Sequence, residues 1–312
     1  MDFALDAQQR DFAASIDAAL GSADLPGVVR AWSAGDYSPG RAVWAQLIEL
    51  GVTALGIAEE FDGIGAQPVD LVVAMERLGR WCVPGPVAES IAVAPVLLAK
   101  DCQRSAGLAS GELIASIATV PDLPWAVDAA FADLVLTANE SSVSVANVGQ
   151  EHQSVDPSRR LYDVTATGTH WEADTARAFS MGALATAAQL VGAAEAMLAM
   201  TVDYAKQRSQ FGRVIGSYQA IKHTLADVHI AIELARPLVY GAALHLHPHE
   251  VSAAKAAAAD AGLHAARACL QTHGAIGFTQ EHDLSLWLLR VQALRSAWGT
   301  PEVHRRRVLE TM

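Results

Sequence analysis

Residues 208–227 decide the fold and read Arg-Ser-Gln-Phe-Gly-Arg-Val-Ile-Gly-Ser-Tyr-Gln-Ala-Ile-Lys-His-Thr-Leu-Ala-Asp. An Ala-rich helical pattern runs into this stretch from about Ala176 and breaks at Gly212. The pattern restarts at Ser217, a residue type favoured at the N-cap, and continues with apolar residues at helical spacing. The stretch is therefore predicted to join two long helices through a short loop.

Four side chains near this loop suit a bound cofactor. Arg208, Gln210 and Phe211 come at the end of the first helix, and Gln219 lies in the first turn of the second. A fixed cation and two amides can hold a phosphate through charge-assisted hydrogen bonds, and an aromatic ring can stack on a flat ring. The alternative from the residues alone is an ordinary interhelical turn with a surface arginine.

A second glycine-containing segment reads Gln271-Thr-His-Gly-Ala-Ile-Gly277. No strand precedes it, so it does not match a dinucleotide-binding fingerprint. Taken alone, Gly274 predicts the C-terminal end of a helix.

Both segments resemble the acyl-CoA dehydrogenases. Arg-x-x-Phe-Gly-x-x-Ile-x-x-x-Gln, from Arg208 to Gln219, resembles the signature of that family. The second segment resembles its Gln-x-x-Gly-Gly-x-Gly sequence, with Ala275 in place of the second glycine. The resemblance implies an FAD cofactor shared with a partner subunit, and the residues it assigns to FAD are Arg208, Gln210, Phe211, Gln219, Gln271, Gly274, Gly277 and Thr300.

The general base of the family is missing from this chain. Most members carry a catalytic Glu in a Tyr-Glu-Gly-Thr sequence near the C-terminus, and here Trp298 precedes Gly299 and Thr300. A minority place the Glu on the long helix, 26 residues before the arginine of the signature, where this chain has Gly182. Neither residue can remove a proton. We therefore expect no catalytic residue in this chain.

The resemblance implies a mostly helical fold with a small β domain. We expect an N-terminal helical domain over residues 1–110, a reduced β domain over 111–172 and a C-terminal helical bundle over 173–312. Two strands are expected from Asp133 and Val143, and the family's loop and strand beside the flavin ring have no counterpart in the sequence. The expected helices run from Asp6, as a capping residue, to Leu20, and over residues 41–50, 69–81, 88–99, 176–207, 217–246 and 251–274, with a loop over 21–40.

Composition narrows the possible partners. The chain has 312 residues, 52% of them hydrophobic, and a net charge of −12, which argues against nucleic acid. Three widely spaced cysteines indicate neither disulfides nor a zinc site, and Pro248 argues against a metal shared by His245 and His249. No basic leader and no apolar run of about 20 residues are apparent, so we expect a cytoplasmic protein outside the membrane.

The function predicted from these features is that of a non-base subunit in a heteromeric acyl-CoA dehydrogenase. The chain resembles the smaller subunits of actinobacterial α2β2 enzymes that act on steroid side-chain CoA thioesters. In this interpretation a homologous partner subunit supplies the Glu, and this chain contributes FAD contacts. Two alternatives remain open: a flavin monooxygenase on the same scaffold, and a non-catalytic scaffold subunit.

Overall fold

The computed structural model describes residues 5–311 and shows a small sheet between two helical parts. The helices of the N-terminal part are α1 Ala7–Gly21, α2 Leu25–Ser33, α3 Ser38–Glu49, α4 Pro68–Arg80, α5 Ala94–Leu97 and α6 Cys102–Ser110. The sheet contains β1 Ala115–Thr119, β2 Trp125–Val127, β3 Leu134–Ala138, β4 Ser142–His152 and β5 Leu161–Glu172. The C-terminal part contains α7 Thr175–Gln207, the hairpin β6 Ser209–Gln210 and β7 Arg213–Val214, α8 Gln219–His245, α9 Pro248–His273, α10 Leu284–Ser296 and α11 Pro301–Leu309.

The N-terminal part confirms one local prediction and corrects another. The capping box of α1 is present, with the Gln9 amide donating to Asp6 Oδ1 at 2.8 Å. The loop expected over residues 21–40 is wrong, because it contains α2 and the start of α3. Asp24 caps α2 by accepting from the amide of Gly27 at 3.1 Å, and Trp32 anchors the helix in the core. Proline and glycine are tolerated in the first turn of a helix, so their presence does not require a loop. The burial of the apolar face of α2 stabilises the helix.

The helix expected over residues 88–99 is interrupted. A π-helical turn spans Glu89–Val93 and leads into α5. Such turns are rare in proteins, and those that occur are often found at functional sites. This turn carries Glu89, a buried carboxylate in an otherwise apolar segment.

The sheet has the order β1-β3-β4-β5-β2, with β1 and β3 parallel and the other pairs antiparallel. The two strands predicted from Asp133 and Val143 are confirmed as β3 and β4. A buried ion pair fixes the sheet to the helices: Arg290 Nε lies 2.6 Å from Asp156 Oδ2, and its Nη1 donates to the Val83 carbonyl at 2.8 Å. Arg290 is thus a structural residue that links all three parts of the chain.

The long helix α7 forms the centre of the C-terminal bundle. It is long and apolar enough to cross a membrane, but 78% of its most apolar window is buried inside the protein, which identifies it as a core helix. Ser217 is not the N-cap of α8, as the sequence predicted. Its hydroxyl donates to the Val214 carbonyl at 2.7 Å in a 3₁₀ turn, and α8 begins at Gln219. Similarly, α9 begins at Pro248, because proline is well tolerated in a first helical turn.

Candidate functional site

The hairpin that follows α7 presents an aromatic ring to solvent. Ser209 pairs with Val214 and Gln210 with Arg213, so Phe211 and Gly212 form a two-residue turn. Both turn residues have positive φ, 51° and 81°, as a type I′ turn requires. Phenylalanine is unusual in this conformation, and its ring is 92% exposed. Backbone strain combined with an exposed apolar ring indicates a contact surface rather than a packing role.

Local contacts hold the hairpin in place. The Tyr218 hydroxyl donates to the Gln210 carbonyl at 3.1 Å, and the guanidinium of Arg213 lies 4.0 Å from the centre of the Tyr218 ring. The amide of Ile215 donates to the Arg208 carbonyl at 2.8 Å. Among residues 5–311, the exposed side chain of Arg208 forms no ion pair or hydrogen bond. The hairpin therefore offers a preorganised, unpaired cation beside an exposed ring.

The second glycine segment lies at the same end of the bundle. The Tyr204 ring, in the last turn of α7, stacks on His273, in the last turn of α9, with centroids 4.3 Å apart. Gly274, the next residue, has φ 68°, and a Cβ built there or at Gly212 meets nothing within 4 Å. Open space above two glycine backbones permits the close approach of a ligand.

The remaining predicted cofactor residues divide into two groups. Gln271 and Gln219 are exposed, in α9 and at the start of α8, and are available to a ligand. Gly277 is buried, and a Cβ there lies 2.8 Å from that of His273, so this glycine serves packing. Thr300 is the N-cap of α11, accepting from the Val303 amide at 3.4 Å, and it lines a cavity beside Trp298 instead of joining the hairpin.

The two positions predicted for the base, Gly182 and Trp298, lie directly against each other. A Cβ built on Gly182 would come within 2.3 Å of the Trp298 ring, which is only 2% exposed. The indole Nε1 donates to Glu89 Oε1 at 3.0 Å. The indole ring therefore fills the space next to Gly182, so that one side chain accounts for both positions predicted for the base. Neither Gly182 nor Trp298 has a side chain that can abstract a proton.

Buried polar groups hold the Trp298 loop. Burial lowers the pKa of His304 to about 4, so its ring is neutral, and Nε2–H donates to the Trp298 carbonyl at 2.8 Å. The Ser252 hydroxyl donates to Nδ1 at 3.1 Å. Lys255 Nζ donates to the carbonyls of Leu294 and Arg295 at 2.9 and 3.1 Å, at the end of α10. These contacts fix Trp298 in its positive-φ conformation, 55°.

Glu89 is a buried carboxylate beside Trp298 that the sequence did not predict. It is 4% exposed, lies 3.9 Å from Arg159 Nη2, and its Oε2 has no hydrogen-bond partner among the described residues. The signal available in the sequence was a lone acid in the apolar run Val87–Val93. Its role as the partner of Trp298 depends on a contact 209 residues away along the chain.

Comparison with known proteins identifies the family. The family model of the acyl-CoA dehydrogenase N-terminal domain matches residues 6–105, and the model of the C-terminal domain matches residues 171–312. Acyl-CoA dehydrogenase IpdE2 of Mycobacterium tuberculosis is 35% identical over 288 residues, 90% of this chain and 90% of its own length.

Solved structures share the fold. Butyryl-CoA dehydrogenase from Megasphaera elsdenii has a TM-score of 0.88 at 20% identity, covering 100% of this chain and 99% of its own. A chain of the ChsE4-ChsE5 complex from Mycobacterium tuberculosis has a TM-score of 0.85 at 21% identity, covering 99% of this chain and 98% of its own. This chain belongs to the acyl-CoA dehydrogenase family of oxidoreductases, and FAD is the cofactor that membership implies.

Proposed function

We propose that this chain is the non-base subunit of a heteromeric, FAD-dependent acyl-CoA dehydrogenase. One observation supports the proposal: the buried Trp298 ring packs against Gly182, so that it fills the space at both positions predicted for the base, while Phe211 of the hairpin is exposed. The reaction is the α,β-dehydrogenation of an acyl-CoA thioester, and the partner subunit carries the Glu that removes the α-proton. That the acyl group of the substrate is a steroid side chain stays a prediction from the sequence.

The proposed role of this chain is to bind and orient. FAD, when bound, supplies the hydride acceptor. Arg208 would form a charge-assisted hydrogen bond with a phosphate oxygen of FAD, and Gln210, Gln219 and Gln271 would add amide contacts. The exposed Phe211 ring would stack on a flat ring, and the open backbone at Gly274 would let the pyrophosphate approach. Each of these groups is exposed. A side chain must be exposed if it is to contact a cofactor bound to a partner subunit.

An apolar stripe on α8 supports a partner subunit. Ile230, Leu234 and Leu238 follow one another at four-residue spacing and are 54%, 68% and 47% exposed. This spacing places them on one helix face. Exposed apolar side chains on one face indicate a protein interface. We propose that a homologous subunit covers this apolar stripe. The ChsE4-ChsE5 complex is heteromeric and shares the fold, which supports that choice.

The test is to purify the chain alone and together with a co-expressed homologous subunit. We expect the isolated chain to be colourless and inactive, and the complex to show a flavin absorption band and acyl-CoA dehydrogenase activity. A yellow, active homomer with stoichiometric FAD would contradict the proposal. A complex without flavin would favour a scaffold role.

A further inference from the structure

The hairpin carries a second arginine, Arg213, besides the one predicted to bind FAD. In the pairing of its two strands, Arg213 lies directly opposite Gln210. Residues two apart on a strand point to the same side, and so do directly opposed residues on paired strands. Arg208, whose carbonyl accepts from the Ile215 amide at 2.8 Å, extends the same ladder by one pair. Arg208, Gln210 and Arg213 therefore lie on one face of the hairpin.

Tyr218 holds the Arg213 side chain in place. The guanidinium carbon of Arg213 lies 4.0 Å from the centre of the Tyr218 ring, which is the geometry of a cation–π contact. The Tyr218 hydroxyl donates to the Gln210 carbonyl at 3.1 Å and lies 3.5 Å from the Phe211 carbonyl, so the ring is fixed to the turn. Within the described part of the chain, Arg213 forms no ion pair, and its side chain is exposed. The cation is thus both positioned and accessible.

The charges around the hairpin favour an anion. Residues 204–226 contain four Lys or Arg and no Asp or Glu, although the net charge of the whole chain is −12. A local group of cations in an acidic protein attracts anions to that place. A pyrophosphate diester carries one negative charge on each of its two phosphates, so a single arginine neutralises only half of it. Two arginines on one face match it in charge and in the planar geometry of their donors.

We propose that Arg213 binds one phosphate of the FAD pyrophosphate while Arg208 binds the other, and that Tyr218 is the positioning residue of Arg213. The inference rests on the function proposed above and adds a cation to the cofactor contact. Coenzyme A contains a pyrophosphate diester as well, so the experiment separates the two sources of this group.

FAD affinity and acyl-CoA kinetics are measured on the complex with the partner subunit. Arg213→Gln should weaken FAD binding about tenfold, and Arg213→Lys should weaken it less. The KM for acyl-CoA, measured with excess FAD, should stay within about twofold. Raising NaCl from about 0.05 to about 0.5 M should weaken FAD binding less in Arg213→Gln than in the unaltered complex, because one charged contact is lost. Arg305→Gln is the matched control, since Arg305 pairs with Asp260 on the surface.

The outcomes separate this inference from the proposed function. Unchanged FAD affinity in Arg213→Gln would overturn the inference, and the proposed function would stand if Arg208→Ala still loses flavin. A higher KM with full flavin retention would assign Arg213 to coenzyme A and would also overturn the inference. A complex that binds no flavin in any variant would overturn the inference and the proposed function together.

Two variants of Tyr218 test the positioning. Tyr218→Phe loses the hydroxyl, and Tyr218→Leu loses the hydroxyl and the ring. The leucine variant should bind FAD about two- to fivefold more weakly than the phenylalanine variant, and this difference should vanish when Arg213→Gln is also present. A ring effect that persists without the guanidinium would show that Tyr218 does not act through Arg213. If a Tyr218 variant does not assemble, the Arg213 variants still decide the phosphate contact.

Discussion

At the scale of single residues, the proposed FAD contact of Arg208 can be tested by substitution. The hairpin fixes its backbone, and its guanidinium is unpaired within the described residues. Arg208→Ala should weaken FAD binding in the assembled complex by about 1.5–3 kcal/mol, or roughly 10- to 150-fold, through loss of a charge-assisted contact. Flavin retained after dialysis is the measurement.

Two variants control for that result. Arg208→Lys keeps the charge and should retain more flavin than Arg208→Ala, but less than the unaltered protein, because lysine lacks the planar fork. Arg305→Ala removes an exposed arginine elsewhere and should change nothing. Full flavin retention by an intact Arg208→Ala complex would show that Arg208 is an ordinary surface residue.

Lys255 gives a residue-scale prediction about stability. Burial lowers the pKa of this lysine from 10.5 to about 7, and Arg295 adds to the effect. The unfolded chain therefore holds more protons than the folded one between pH 7 and pH 10.5. The contribution of Lys255 to the free energy of unfolding should accordingly rise with pH across this window. Below about pH 7 the lysine is charged in the folded protein, and the full cost of burying that charge is present.

Lys255→Met removes this titration. The unaltered protein should gain roughly 2–3 kcal/mol relative to the variant between about pH 7 and pH 9.5. Urea unfolding at the two pH values measures the difference. The variant also leaves the Leu294 and Arg295 carbonyls without a donor, which lowers stability at both pH values equally. Parallel pH profiles for the two proteins would show that Lys255 does not titrate in this range.

At the scale of elements, α8 combines a packed face with an exposed apolar face. Leu234→Glu should weaken association with the partner subunit by at least about tenfold, because a carboxylate would be buried at the interface. Sedimentation of the co-purified complex measures the effect. Leu309→Glu is the matched control, since Leu309 is 70% exposed on α11 and lies outside the stripe. Unchanged association in Leu234→Glu would place the interface elsewhere, and an equal loss in both variants would show that the effect is not specific to the stripe.

Element positions were predictable where local signals and burial agree. The Asp6 capping box and the long apolar pattern of α7 are local, and both are confirmed. The π-helical turn at Glu89 and helix α2 depend on contacts with distant parts of the chain, which a local pattern does not show. Trp32 fixes α2 through buried tertiary packing, so Gly- and Pro-rich composition alone favoured a loop. Ser217 has the residue type of a cap, but its hydroxyl bonds backward to Val214.

The candidate site was predictable to a different degree. Fixed spacing between Arg208 and Gln219 allowed the cofactor segment to be recognised in one dimension. The sequence named Trp298 and Gly182 as alternative positions of one base, but it gave no sign that Glu89 contacts Trp298, because the two residues lie 209 positions apart. The sequence predicts that the base is absent, and the structure shows that the Trp298 ring lies against Gly182 at the two positions where it was expected.

At the scale of the whole molecule, the final prediction concerns restoring the base. Trp298→Glu places a carboxylate where most of the family has one. We expect no dehydrogenation from this half, because proton abstraction typically contributes about 10²–10⁴-fold and a hydride acceptor must still lie about 3–3.5 Å from the β-carbon. The new carboxylate would also lie beside Glu89, and the lost ring would leave a cavity against Gly182. Stability should fall by about 3 kcal/mol or more.

The assay uses a complex whose partner subunit has lost its own catalytic Glu, so that only this half can act. Trp298→Phe is the control, because it keeps a ring against Gly182 and loses the indole N–H bond to Glu89. Both complexes are assayed with acyl-CoA and a flavin-linked electron acceptor, after thermal unfolding shows that they are folded at the assay temperature. Turnover in Trp298→Glu well above that of Trp298→Phe would mean that this half binds a usable flavin. The division of labour between the subunits would then be reversible by one residue, because a retained flavin site needs only a carboxylate to become active. Equal background turnover would mean that this subunit does not hold a flavin in a productive position.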